Sequence, residues 1–129
     1  MFKQDYIMNQ IRNLAKLLVK MVLNKESVTV EIRDETGTTG QETLLQTLYS
    51  MTDRGDINAA ENLLYEELDF EDLEQYEIAL AFYLHVNEMD DTFLEEHDYS
   101  RMEIKEGICD ISKEFGIAYD VSSMIPDPQ

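Results

Sequence analysis

Residues 78–87 read IALAFYLHVN, ten positions without a formal charge. Wound as a helix, this run places apolar side chains round nearly the whole circumference, and a helix of that kind has to be covered on every side. The segment holding it, about residues 70–89, predicts the central helix of the domain. Everything else in the chain has to supply its cover.

The flanking segments have the pattern to do so. Over residues 3–23, Ile7, Ile11, Leu14, Leu18 and Met21 recur at spacings of 4 and 3, and Met8, Ala15, Val19 and Val22 widen the stripe. Arg12, Lys16 and Lys20 follow one another at four-residue steps on the other side of this first helix. A second helix over about 40–53 turns Leu44, Leu45, Leu48 and Met51 inward, and a third over about 57–68 offers Ile57, Ala60, Leu64 and Leu68 on one narrow face. A fifth, over about 101–115, carries the stripe Ile104, Ile108, Ile111 and Phe115, with Gly116 as its stop. Thr39 with Glu42, Thr92 with Glu95, and Ser100 with Glu103 have the spacing of capping boxes, and the Thr92 pair would open a short helix near 93–97. One stretch departs from the helical period. SVTVEIRD (27–34) alternates apolar and polar and is rich in β-branched residues, so the segment near 28–32 reads as extended. The expected fold is all-α: about five helices in a single domain over 1–119, with a loose tail over 120–129.

TDRGDIN (52–58) contains Arg54-Gly55-Asp56, a tripeptide associated with cell adhesion. Here it reads as a helix elbow. Gly55 falls where the second helix has to stop in a left-handed conformation, and Asp56 precedes the next periodic run, where a short acceptor caps free N–H groups.

Charge narrows the function classes. The net charge is −18, yet residues 1–25 hold five basic residues (Lys3, Arg12, Lys16, Lys20, Lys25) against Asp5 alone. That segment is therefore +4, and the rest of the chain is −22. Between Arg54 and Arg101 there is no Lys or Arg. A body of that sign repels phosphate backbones and anionic lipid, which argues against nucleic acid and against a membrane as partners. A basic amphipathic first helix could lie on a membrane surface, but a helix of this kind more often packs on its own domain. Lys16 and Lys20 interrupt the apolar stretch a secretory signal needs, and the lone Cys109 excludes an intrachain disulfide, so the expected compartment is the cytoplasm.

No convergent catalytic set stands out, and no cofactor motif is present. His97 sits among Glu95, Glu96 and Asp98, but consecutive helical residues point in different directions. His85 lies inside the uncharged run and reads as a half-buried imidazole, while Cys109 reads as an incidental thiol. One enzymatic alternative rests on carboxylates. Glu103, Glu106 and Asp110 share a helical face, as in all-α magnesium-dependent nucleotide hydrolases, and would need Glu71, Glu74 and Glu77 from a second helix.

Residues 43–68, TLLQTLYSMTDRGDINAAENLLYEEL, resemble one tetratricopeptide-type hairpin through Gly55, Asp56, Ile57, Ala60, Leu64 and Leu68. Leu48 stands where that repeat has a glycine, so an array of repeats is not implied. FKQDYIMNQIRNLAKLLVKMVLNK, GDINAAENLLYEELD and FLEEHDYSRMEIKEGICDISKEFGI together resemble a family of short Gram-positive bacterial proteins of unknown function. The resemblance covers most of the chain except residues 26–40. It implies a helical cytoplasmic protein and carries over no catalytic residue.

The function expected from all this is a non-catalytic protein–protein interaction or scaffold module. Its partner would be another protein or a second copy of the chain. The candidate interaction face is Ile7, Ile11, Arg12, Leu14, Lys16, Leu18 and Lys20 on the first helix, with the 28–32 segment as a second route to self-association.

Overall fold

The computed structural model describes residues 2–28 and 40–117. Among them it is all-α, without strands. The elements are α1 (Phe2–Leu23), α2 (Gly40–Asp53), α3 (Ile57–Glu67), α4 (Tyr76–Asn87), α5 (Asp91–Glu96) and α6 (Arg101–Glu114). The extended reading of 28–32 falls almost wholly outside the described residues. So do the Thr39 cap, the end of the domain at 119 and the tail from 120.

α4 is the hub: it packs against α1, α2 and α6, and α3 packs on α2. From Ile78 to Tyr83 every residue of α4 is buried, as its uncharged circumference requires, and Leu84 and His85 are half-buried. Ile11, Leu14, Leu18 and Val19 cover it from α1, Leu45 and Leu48 belong to the same core from α2, and Ile104, Ile108 and Ile111 come from α6. Each of these helices buries the stripe its apolar spacing defines. Gly107 in α6 permits the closest approach, since a Cβ there would lie 2.5 Å from the ring of the fully buried Tyr83.

Two boundaries and one cap differ from the sequence reading. α4 does not begin near residue 70. Asp72 accepts from the Glu74 N–H and opens a short 3-10 turn, Leu73–Gln75, so the α-helix starts at Tyr76. The cap of α5 is Asp90, whose Oδ1 accepts from Phe93 N at 2.8 Å, and not Thr92, because the helix begins one residue before Thr92. Asp56 does occupy the cap position of α3, but its side chain makes no cap bond. It turns instead toward Arg54 Nε, 3.5 Å away, so the Arg and Asp of the tripeptide face each other.

Ser100 caps α6 as its spacing predicts, accepting from Glu103 N at 3.2 Å. Ser100→Ala should therefore cost about 1 kcal/mol of stability, whereas Thr92→Ala should change it little. Urea midpoints of the two variants check this.

Candidate functional site

Two polar constellations stand out against this core. The first is at the surface, where α1, α2 and α4 enclose an open cleft of about 450 Å³. α1 contributes Arg12 and Lys16, α2 contributes Tyr49, and α4 contributes Ala81, Leu84, His85 and Glu88; Ser27 and Val28 close one end. Its polar groups are held in place. Arg12 meets Glu88 through both ends of its guanidinium fork, at 2.9 and 2.8 Å, and also donates to Asn9 Oδ1 at 2.8 Å. The Arg12 hydrogen bonds hold the Glu88 carboxyl below the usual carboxylate range. His85 donates from Nε2 to Asp53 Oδ1 at 2.8 Å and stacks on Tyr49, with centroids 4.0 Å apart and planes 15° from parallel. Burial pushes the Tyr49 phenol up, which keeps its hydroxyl a donor.

The second constellation is internal. Tyr83 and Tyr99 both donate to Glu61 Oε2, at 2.6 and 3.2 Å. Burial raises the Glu61 carboxyl, the two hydroxyls oppose that shift, and the negative charges of Glu103 and Asp110 reinforce it. A carboxyl raised by folding is held more easily in its protonated form, so stability falls as pH climbs from the ordinary glutamate value through the raised one. Glu61→Gln keeps an acceptor for both hydroxyls and removes this titration. The difference in urea midpoint between variant and wild type should grow in the variant's favour as pH rises above the ordinary glutamate value of about 4.3. This cluster serves the core: it satisfies two tyrosine hydroxyls that the fold has buried.

The residues singled out in the sequence separate into three groups. Ile11, Leu14 and Leu18 lie inside the core, at 1%, 4% and 0% exposure, and Ile7 packs against its edge. Arg12, Lys16 and Lys20 are exposed on the outer side of α1. Lys20 pairs with Glu26 at 2.8 Å, while Lys16 meets no ion-pair partner among the described residues. Gly55 is left-handed at φ +94°, and Ala60 and Leu64 are fully buried below the elbow.

Among the described residues no three His, Cys, Asp or Glu side chains are placed to hold a metal ion. Glu77 pairs with Lys25 at 2.8 Å. No helix among the described residues is long and apolar enough to cross a membrane.

Sequence reasoning missed Tyr49 and Glu88 as cleft residues, and Asp53 as the group that holds His85. Each joins the site only through a partner on another helix, so no local pattern marks it.

The fold and the cleft define an all-α protein built round one buried helix, with a small half-apolar cleft beside its cationic first helix. The chain belongs to a family of unknown function, DUF6483, which matches it over residues 1–116. No curated protein and no solved structure matches the chain.

Proposed function

We propose that the domain is a non-catalytic protein–protein interaction module acting in the cytoplasm, and that it docks an acidic segment of a partner protein on the outer edge of α1. One observation carries this reading: α1 divides its two sides. Its apolar stripe is consumed by the core, while Lys16 and Lys20 flank Leu17, which stays 44% exposed. These residues, with Asn13 and Glu26, line a shallow depression of about 310 Å³. In a chain of net −18, this is a surface where Lys16 and the Lys20–Glu26 pair border an exposed apolar side chain. An acidic segment offering one apolar side chain to Leu17 complements both features, and its charge would speed and orient docking. In this reading the tetratricopeptide-like hairpin of α2 and α3 is scaffold that braces α4.

The test is capture from the native cytoplasm, with the recovered partner then purified and titrated. Lys16→Glu combined with Lys20→Glu should weaken its binding about tenfold or more, with a steeper loss at low salt. A control reversal on the acidic side, Glu66→Lys, should not weaken it. A partner that binds the double variant undiminished overturns the assignment. So does a sedimentation profile in which wild type self-associates through this edge and the double variant does not.

A further inference from the structure

We propose that the cleft between α1, α2 and α4 binds a small monocarboxylate with an apolar body, its carboxylate held between Lys16 and the Tyr49 hydroxyl. This goes beyond the docking edge, because the ligand sits inside the cleft and on different side chains, with Lys16 alone shared.

Size, lining and charge all bear on the ligand. A volume of about 450 Å³ lies within the range that small-molecule sites occupy. Val28, Ala81 and Leu84 give the cleft its apolar wall. The charges in it do not cancel. Arg12 and Glu88 neutralise each other across their paired contact, which leaves Lys16 as the cation unmatched among the described residues. One unmatched cation suits one negative charge. A phosphate dianion would bring two charges to one unmatched cation, against the field of a chain at −18.

The second donor is the Tyr49 hydroxyl, which makes no hydrogen bond among the described residues. Its ring is already fixed: it stacks on His85, and Asp53 holds His85 in turn. A donor positioned in advance loses little freedom when a ligand arrives. A cleft whose lining joins an apolar wall to two unused donors on separate helices, one cationic and one a neutral phenol, suits a carboxylate attached to a hydrocarbon body.

Nuclear magnetic resonance titration of the full chain tests this, with benzoate as probe, benzylamine as a cation of the same ring, and inorganic phosphate. Benzoate should shift the backbone amides of Lys16, Tyr49, Leu84 and His85 saturably in the millimolar range. Lys16→Gln and Tyr49→Phe should each weaken that binding about tenfold, and Tyr49→Phe keeps the stacked ring. Leu17→Ser should leave it unchanged while removing the protein partner, so the two sites fail separately. Absence of saturable shifts with benzoate overturns the proposal. So does equal binding of phosphate or benzylamine, or benzoate binding unchanged in both Lys16→Gln and Tyr49→Phe.

Discussion

Gly55→Val is expected to destabilise the fold by about 3 kcal/mol or more, because two independent costs fall on one Cβ. The first is the backbone. Gly55 closes α2 in a Schellman arrangement at φ +94°, with Gly55 N bonding Thr52 O at 2.9 Å and Asp56 N bonding Met51 O at 2.8 Å. The second is steric. A Cβ at this position would lie 2.2 Å from the ring of His97, which cannot swing away freely because Nδ1 donates to Phe93 O at 2.7 Å. The elbow is thus a docking point for the turn after α5, where Asn58 Nδ2 also reaches Asp98 O at 3.3 Å. A cycle of Gly55→Ala and His97→Ala separates the costs. In the His97→Ala background Gly55→Ala should cost only the left-handed backbone term, about 1 kcal/mol, and clearly more in wild type. Equal costs in both backgrounds would mean that the ring does not press on the elbow. Arg54→Ala should do little, since its contact with Asp56 is exposed at 3.5 Å.

Arg101→Met should cost about 3 kcal/mol, comparable to breaking other buried, hydrogen-bonded charges. Arg101 is 8% exposed and ends the long cation-free stretch of the chain. Its Nη1 donates to Asn87 O at 2.6 Å and to Asn87 Oδ1 at 3.2 Å, its Nη2 to Met89 O, and its Nε to Asp91 Oδ1 at 3.1 Å. One guanidinium therefore ties the exit of α4 to the start of α5 and the first turn of α6. It also places a cation at the C-terminal end of α4, where the helix dipole favours it. Methionine fills similar volume but leaves those carbonyls without their donor. Arg101→Lys should recover only part of the loss, because a single ammonium cannot reproduce the fork. Thermal unfolding of both variants checks the order.

The helices were legible because each shows its period locally. The stripe from Ile104 to Phe115 and the uncharged run from Ile78 to Asn87 name their own buried faces. Capping was legible where one acceptor stood at the right spacing, as at Ser100. It misled where Asp90 and Thr92 competed for one helix start, and where Asp56 had Arg54 beside it. The cleft was not legible, since Tyr49 and Glu88 are unremarkable singly and join Arg12 only through the packing of α1 and α2 on α4. Arg101 gave a partial signal as the cation that closes an acidic stretch. Its targets, two carbonyls at a helix end, leave no mark in sequence.

The most direct test of the docking reading is a photo-cross-linking amino acid placed at Leu17 in the native cell, compared with the same group at the exposed acidic-side residue Glu95. The account predicts a discrete protein adduct at Leu17, absent at Glu95 and lost when Lys16→Glu and Lys20→Glu are added. The same adduct pattern from both positions, or an adduct at Leu17 that survives the charge reversals, would contradict it.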